Sequence, residues 1–567
     1  MVTSAGSGRS SGLAGRIRAW SQINRQALAV TVANRDILRV QVAYLSVFAA
    51  SAMLLVALSI VAFERAGAAG VAALTLAQML PTLLIVPLVS GMGARLPRRR
   101  LLLGALMAGA AGAAGTAVLL VADSPLEGLF VVAAVIAAAA GVTWAVTTAL
   151  LPALARSPEE LIGANVASTA VEGMGGLVGP LLATVLLVLG GPALVAGVAV
   201  VVFLLGLVAA VGVHAAPSPL DQAVTPRQSG ARALFTEAGE GIRILWQLPG
   251  PRLVTVGIVV QTFVRGALGV LIVVLAIDVL GTGDPGVALL TAAMGFGGLV
   301  GSGLAAGLTV GRPLGPLLAI SLACWGLPIA LIAPLPTAAV ALMMLAVVGA
   351  SNALVDVSGF GLLQGSIPDQ QRTGALGAVR AAVSLGVAAG GVAASVLLSL
   401  AGVQVVLVIV GLLLPALVLV LWPRWRTLDD RLLVSREQVE AIRRCPIFAP
   451  LTLAQLEQLA GGMHDVRFAA GEAIIKEGEP GDAFYIITRG DAQVSSAGTS
   501  LNTLRTGDSF GEIALVRGVP RTATVTATSP LDAYRIDAPT FVSAITGNPS
   551  SRAAADEVIS HFEPLPG

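Results

Sequence analysis

The sequence predicts an all-α membrane bundle of twelve transmembrane helices, followed by a small antiparallel β-roll with flanking helices. The first observation is composition, because the 567 residues are 56% hydrophobic and 12% charged, which is typical of integral membrane proteins. The second is the spacing of apolar runs, each long enough to cross a hydrocarbon core of about 30 Å. The third is an abrupt fall in hydropathy after residue 422, where short alternating strands with glycine turns begin.

The apolar runs fall into two sets of six. The first set lies near residues 41–64, 70–92, 101–122, 127–151, 165–189 and 191–213, and the second near 252–280, 285–310, 313–334, 337–363, 373–400 and 403–422. The predicted domains are a basic disordered tail at 1–35, a six-helix half at 36–213, a cytoplasmic connector at 214–251, a second six-helix half at 252–422, a linker helix at 423–446 and a soluble domain at 447–567. The tail has no run apolar enough for a signal peptide.

The placement of arginines predicts the orientation in the membrane. Arginines cluster in loops of one parity, for example at 95–100 between the second and third spans. The opposite loops carry little more than Arg65, Asp123, Glu127 and Asp284. Because cytoplasmic loops retain basic residues, both termini are expected to be cytoplasmic, in a multi-pass protein of a bacterial cytoplasmic membrane.

Several function classes are excluded by charge and by the rarity of reactive side chains. A net charge of +2 without a clustered basic face argues against a nucleic-acid partner. Cys324 and Cys445 have neither disulfide nor metal-ligand spacing, and His214, His464 and His561 do not stand beside a nucleophile. We therefore expect no catalytic residue, no metal, no cofactor and no enzymatic activity. The sequence does not determine the oligomeric state.

The two halves carry matching segments at equivalent places. GVAALTLA at 70–77 opens the second span, and GVALLTAA at 286–293 opens the eighth. GPLLATVLL at 179–187 in the fifth span corresponds to GGVAASVLL at 390–398 in the eleventh. These matches indicate an internal duplication of the kind that transporters use, and therefore a 6+6 pseudo-symmetric bundle.

With the basic loop SGMGARLPRRRLLL at 90–103, this layout resembles the major facilitator superfamily across residues 36–422. The loop departs from the superfamily's pattern, because Ala94 stands in place of an aspartate and Ser90 in place of the leading glycine. GMGGLVGP at 173–180 resembles the Gly-Pro motif of the antiporter branch, which favours export. The resemblance implies a secondary transporter.

Polar side chains within the predicted spans define a candidate transport cavity. A charge in the bilayer costs several kcal/mol, so each should face a cavity or a partner. We expect at least one acid to titrate during transport, and the alternative is a set of static ion pairs that hold the halves together. The candidate cavity and coupling residues are Glu172, Gln261, Arg265, Asn352, Asp356 and Arg380.

The cargo is expected to be apolar or amphipathic. Aromatic side chains are scattered over many spans and amides are few, whereas a sugar site needs stacked rings and many hydrogen-bonding groups. A small molecule or a lipid that partitions into the bilayer fits this composition.

The soluble end carries two motifs in order. IIKEGEPGDAFYIITRG at 474–490 and FGEIALVRGVPRTATVTA at 510–527 combine short alternating strands with glycine turns, which predicts a β-roll. Both segments resemble the two motifs of cyclic-nucleotide-binding domains, and the resemblance extends over about residues 440–562.

This resemblance implies a regulatory ligand rather than a substrate. Arg521 would contact the phosphate through charge-assisted hydrogen bonds, and Glu512 would accept one from the ribose 2′-hydroxyl. Gly511 would let the backbone approach the ligand, at the start of a short helix whose N–H groups face the phosphate. The alternative is a degenerate roll in which Arg521 and Glu512 pair with each other. The implied binding residues are Phe510, Gly511, Glu512, Ile513, Ala514, Leu515, Arg521, Thr522 and Ala523.

The identity of the base is less constrained than the phosphate site. Thr522 is compatible with guanine and with adenine, and Ile559 and Phe562 in the last predicted helix are the candidates for capping the base. We favour cAMP, with cGMP as the other possibility.

The sequence as a whole predicts an exporter regulated by a cytoplasmic cyclic nucleotide. Its expected partners are the lipid bilayer, the nucleotide and a small-molecule or lipid substrate. The alternatives are a nucleotide-gated channel or lipid scramblase, and a non-transporting membrane receptor built on the same fold.

Overall fold

The computed structural model describes residues 34–92, 97–155, 158–213, 242–243, 245–309, 313–367, 369–428, 436–451, 456 and 459–546. The chain divides into two compact units, residues 1–429 and 430–567.

The first unit is helical. Within its described residues, ten helices are long and apolar enough to cross a membrane. A π-helical turn, Leu275–Val279, follows the fifth helix directly. The helices are α1 (Arg35–Met92), α2 (Arg98–Val121), α3 (Leu126–Leu154), α4 (Pro158–Val211), α5 (Pro249–Val274), α6 (Gly283–Thr309), α7 (Leu314–Ile332), α8 (Ala338–Ser366), α9 (Asp369–Leu400) and α10 (Val403–Arg426).

Two of these helices are each divided by non-helical residues. In α1 the division lies at Ala66 and Gly67, and in α4 at Gly190 and Gly191. Gly67 and Gly191 have φ angles of +58° and +70°, which glycine adopts without steric cost. With α1 and α4 counted as two segments each, the described helices follow the predicted order of spans. The number of membrane crossings remains a prediction.

Close helix packing supports the predicted duplication. A Cβ added to Gly179 in α4 would lie 2.5 Å from the carbonyl oxygen of Ala49 in α1, and one added to Gly390 in α9 would overlap the carbonyl of Phe263 in α5. Gly179 and Gly390 are the first residues of the two matching segments. Glycine permits this close approach because it has no side chain. The fifth and first predicted spans therefore pack as the eleventh and seventh do.

The second unit combines strands with flanking helices. It begins with a helix and a 3₁₀ turn and ends, within the described residues, with another helix. The elements are α11 (Arg436–Arg444), the 3₁₀ turn (Pro446–Phe448), β1 (Met463–Phe468), β2 (Ala473–Ile475), β3 (Ala483–Arg489), β4 (Ala492–Ser496), β5 (Thr499–Leu504), β6 (Ser509–Phe510), α12 (Glu512–Arg517), β7 (Thr524–Ala527), β8 (Leu531–Asp537) and α13 (Ala538–Thr546).

The strands form two four-stranded antiparallel sheets, in the orders β1-β8-β3-β6 and β2-β7-β4-β5. Strand β3 is buried on both faces, which explains its unbroken apolar run. Phe484 and Ile486 pack in a core with the helices, whereas Tyr485 and Ile487 pack inside the roll. The predicted β-roll with flanking helices is confirmed.

Several boundaries differ from the sequence prediction. Helix α5 begins at Pro249 rather than 252, and α10 continues to Arg426, beyond 422. The end of the predicted linker is part of the soluble core, because Ile442 and Cys445 are buried beside Phe448. The last predicted helix and most of the predicted connector at 214–251 lie outside the described residues.

Candidate functional site

The loop between β6 and α12 holds the residues that the second motif singled out. Gly511 has a φ angle of +96°, and a Cβ there would lie 2.8 Å from Nη1 of Arg521. Both the left-handed backbone and the close approach therefore require glycine. Helix α12 starts directly afterwards at Glu512, as the sequence predicts for a short helix.

Arg521 lies beneath this loop and is only 3% exposed. Its Nη1 donates to the carbonyl oxygen of Gly511 over 2.9 Å, and its Nη2 donates to Asp482 Oδ1 over 2.8 Å and to the carbonyl oxygen of Ala483 over 2.7 Å. A guanidinium has five N–H donors, so two remain for another acceptor. The alternative in which Arg521 pairs with Glu512 is wrong, because its partners are Asp482 and two backbone carbonyls.

The backbone of Arg521 joins the two motifs. Its N–H donates to the carbonyl oxygen of Glu479 over 2.8 Å, and its carbonyl oxygen accepts from the N–H of Gly478 over 2.9 Å. Gly478 and Glu479 belong to the first motif. The fold thus brings the two motifs together in one candidate site.

Asp482 is a site residue that sequence reasoning missed. Its carboxylate lies between two arginines, with Oδ2 accepting from Arg535 over 3.3 Å. Partial burial acts to raise the pKa of Asp482, but the hydrogen bonds from Arg521, a backbone group and Arg535, together with the charge of Arg521, outweigh it and hold the pKa below the ordinary value. The aspartate directly after Gly481 in the first motif was the available signal, and only the fold places it beside Arg521.

Glu512 is 6% exposed, and its Oε2 has no hydrogen-bond partner among the described residues. Burial raises the pKa of this carboxyl, and the backbone hydrogen bond and the charge of Arg521 offset only part of the effect. A buried acceptor without a donor is costly unless a ligand supplies one. A ligand hydroxyl is the kind of group that fits.

The remaining predicted pocket residues surround this pair. The Phe510 ring stacks on Tyr485, with 5.1 Å between centroids. Ala514 is buried against Gly481, where a Cβ would lie 2.9 Å from the alanine methyl. Ile513, Leu515 and Ala523 are half-buried, and Thr522 is exposed. Ile559 and Phe562 lie outside the described residues.

In the first unit, the six predicted cavity residues fall into one polar region around Asn352. Its Oδ1 accepts from Gln261 over 3.1 Å, from Trp325 over 3.2 Å and from Arg265. Its Nδ2 donates to Asp356 Oδ2 over 2.9 Å. The asparagine therefore links α5, α7 and α8, and Trp325 is a member that the sequence did not indicate.

Glu172 and Arg380 complete this region with partners from other helices. The hydroxyl of Tyr44 in α1 donates to Glu172 in α4. The guanidinium of Arg380 in α9 lies over the ring of Trp144 in α3, 3.7 Å from its centroid. Tyr44 and Trp144 were not predicted, because neither residue type is diagnostic in an apolar span. In the described part of the chain no cluster of histidine, cysteine, aspartate or glutamate could hold a metal ion.

Comparison with known proteins matches both units to families. Residues 41–370 match the Major Facilitator Superfamily, and residues 465–548 match the cyclic nucleotide-binding domain.

The similar curated proteins match only the soluble end. A cAMP-dependent protein kinase regulatory subunit of Yarrowia lipolytica is 41% identical over 92 residues, which are 16% of this chain and 24% of that protein. A cGMP-dependent protein kinase of Caenorhabditis briggsae is 32% identical over 102 residues, which are 18% of this chain and 14% of that one. The chain thus spans at most about a quarter of the length of these relatives. Among solved structures, the regulatory domain of Toxoplasma gondii PKA with cAMP is 23% identical, with a TM-score of 0.21, over 22% of this chain and 49% of that chain.

Proposed function

Because the chain belongs to the major facilitator superfamily and carries a cyclic nucleotide-binding domain after its membrane unit, we propose that it is a secondary active transporter whose activity a cyclic nucleotide regulates. The superfamily typically transports small molecules without enzymatic chemistry. The observation that supports regulation by a nucleotide is that Arg521 and Glu512, which do not bond to each other, both lie at the loop between β6 and α12.

This pair fits the two polar ends of a cyclic nucleotide. The two remaining donors of Arg521 suit the exocyclic phosphate oxygens, and the unpartnered Oε2 of Glu512 suits the ribose 2′-hydroxyl. We take the nucleotide to be cAMP, which the similarity to a cAMP-dependent kinase regulatory subunit supports, with cGMP as the alternative. Ile559 and Phe562 remain the proposed caps for the base.

The transported compound is proposed to be an apolar or amphipathic small molecule or lipid that leaves the cell. Its path would run past the polar region around Asn352, in a bundle that is otherwise apolar. Proton coupling is assigned to Glu172 or Asp356. Both termini would face the cytoplasm of a bacterium, where the nucleotide is made.

Nucleotide binding is tested on the full-length protein by titration with cAMP and cGMP. Arg521→Ala should abolish binding, because it removes the phosphate ligand. Arg505→Ala, at an exposed arginine of the same unit, is the matched control. Micromolar affinity retained in Arg521→Ala would contradict the assignment.

Transport is tested by a flux screen in proteoliposomes with and without cAMP. A transporter accumulates its substrate against a gradient, whereas a channel or scramblase only equilibrates it. Proton flux should fall in Glu172→Gln or Asp356→Asn, and unchanged flux in both variants would exclude the proposed coupling. A receptor would keep its cAMP response without any flux.

A further inference from the structure

Arg380 differs from the other charged groups of the polar region because its side chain has no hydrogen-bond partner among the described residues. The ring of Trp144 under its guanidinium attracts the positive charge but supplies no lone-pair acceptor. Within the part of the chain that the structure describes, its side chain makes no hydrogen bond and no ion pair shorter than 4 Å. The residue is nevertheless exposed.

The carboxylates near Arg380 already have other partners. Glu172 and Asp356 both interact with Arg380 electrostatically, but Glu172 accepts from Tyr44, and Asp356 accepts from Asn352 over 2.9 Å. Arg265 contrasts with Arg380, because its Nη2 donates to Asn352 and its Nε, although it has no hydrogen-bond partner among the described residues, is buried. Arg380 is therefore the arginine of this region whose N–H groups are both unpartnered and exposed.

The position of Arg380 places these donors where both halves meet. Trp144 belongs to the N-terminal half and Arg380 to the C-terminal half, so their contact crosses between the halves. An arginine at membrane depth requires a partner, and its planar fork suits a carboxylate or another oxyanion. The two arginines of the region, Arg265 and Arg380, are balanced by its two carboxylates, Glu172 and Asp356, so the formal net charge is zero. A bound anion can therefore be released, because no excess positive charge holds it.

We propose that Arg380 binds the anionic group of the transported compound, and that the compound is an organic anion with an apolar body. Trp144 holds the guanidinium in place, and the apolar helix surfaces receive the rest of the molecule. This inference rests on the proposed transport function and specifies its substrate class.

The test uses three probes that share one apolar body and differ in charge: 2-naphthoate, its methyl ester and 2-naphthylmethylammonium. Binding to the full-length protein in lipid nanodiscs is measured by equilibrium dialysis, and empty nanodiscs correct for partitioning. The wild-type protein should bind the carboxylate about tenfold or more tightly than either other probe, as expected for a charge-assisted bidentate contact.

Variants separate the role of Arg380 from a general effect of charge. Arg380→Gln should lose the preference for the carboxylate, Arg380→Lys should keep part of it, and Arg424→Gln, at an exposed arginine in the last turn of α10, should keep all of it. Unchanged cAMP affinity and an unchanged elution volume confirm that each variant is folded.

Three results would overturn the inference: equal binding of the carboxylate and the ester, an unchanged preference in Arg380→Gln, or no binding of the carboxylate at millimolar concentration. The transport function is judged separately by flux. Selective carboxylate binding without accumulation of any compound would support the anion site and refute transport. Accumulation of neutral compounds alone would support transport and refute the anion site.

Discussion

At the residue scale, Arg521 has two kinds of partner with different consequences. The carbonyl oxygens of Gly511 and Ala483 belong to the backbone and position the guanidinium whatever the side chains nearby. Asp482 instead supplies its counter-charge, from a side chain that is itself 61% exposed. Removal of Asp482 should therefore leave the geometry of the arginine largely intact but its charge less well compensated.

We predict that Asp482→Ala lowers the free energy of unfolding of the soluble unit by about 1 kcal/mol at pH 7, a value at the lower end for a hydrogen bond to a charged group because the carboxylate is exposed. Since the pKa of Asp482 is lowered in the fold, its contribution is complete above the ordinary value of 3.8 and is lost as pH falls through the folded value. Pulse proteolysis of the full-length protein in urea measures this.

The control for that prediction is Asp465→Ala, at an exposed aspartate in β1. An equal loss in both variants at pH 7, or a loss for Asp482→Ala that persists at the lowest pH, would show that the pairing with Arg521 does not stabilise the fold.

Glu512 should have the opposite pH dependence, because burial raises rather than lowers the pKa of its carboxyl. The folded state then keeps this proton at a pH where the unfolded chain has released it. We predict that wild-type stability falls relative to Glu512→Gln as pH rises above 4.5, the ordinary pKa of the group. The same proteolysis assay at several pH values tests this.

Glu512→Gln should also weaken cAMP binding by about tenfold or more, because the ribose hydroxyl loses a charged acceptor. A variant that gains stability at high pH and keeps its cAMP affinity would remove Glu512 from the ligand contacts. A variant whose stability follows pH as the wild type does would contradict the raised pKa.

At the element scale, glycines decide how closely the helices of the first unit approach. Gly390 and Gly377 lie on the same helix, α9, but only Gly390 faces a neighbouring backbone, at Phe263. Gly377 has nothing within 4 Å of an added Cβ. The two positions therefore form an internal comparison between a packing glycine and an unconstrained one.

We predict that Gly390→Ala destabilises the membrane unit by roughly 1–3 kcal/mol, because the added methyl group must push α9 away from α5. Gly377→Ala should cause no loss, since alanine is the better helix former. Thermal unfolding of the purified full-length protein, followed by tryptophan emission, measures both. Equal thermal stability of the two variants would mean that α9 can move away from α5 without cost.

The helices were predictable because membrane spans require long apolar runs, whereas the close packing at Gly179 and Gly390 is visible only in the structure. Boundaries were less predictable, since α5 begins with Pro249, Gly250 and Pro251 and α10 ends with two arginines after Pro423, which are residue types typical of loops. The role of α11 was also hidden. The buried Ile442 in this helix and Cys445 directly after it are too few to signal burial, and only tertiary packing against Phe448 reveals it.

The candidate nucleotide site was predictable where its residues are close together in the sequence. Phe510 to Ala523 carry a local backbone pattern that the sequence displays directly. Asp482, directly before β3, and Arg535, in β8, come together through strand pairing, which a sequence does not display. In the membrane unit the charges were visible, but their partners Tyr44, Trp144 and Trp325 were not.

At the scale of the whole molecule, the proposed regulation requires an energetic coupling between nucleotide and substrate. The chain joins α10 to α11 through residues 427–435, so the two units are covalently linked by a short segment. If cAMP changes the affinity for the transported compound by some factor, that compound must change the affinity for cAMP by the same factor.

We predict a reciprocal change of about fivefold or more, in the range typical of allosteric proteins. It is measured as the cAMP dissociation constant of the full-length protein, with and without a saturating concentration of the compound that the flux screen identifies. Arg521→Ala should transport that compound at a rate that cAMP does not alter. An unchanged cAMP affinity would mean that the soluble unit does not regulate substrate binding.

The burial of Cys445 has a practical consequence for studying the two units separately. Residues 430–567 contain no tryptophan, so tryptophan emission reports only on the membrane unit. Burial raises the pKa of the Cys445 thiol to about 11, which leaves almost no reactive thiolate in the folded state, whereas Cys324 is exposed. A maleimide should modify Cys445 only when the soluble unit opens, whereas Cys324 lies in the membrane-crossing helix α7. The modification rate of Cys445 therefore measures the opening of the soluble unit in the natural chain, without an engineered label.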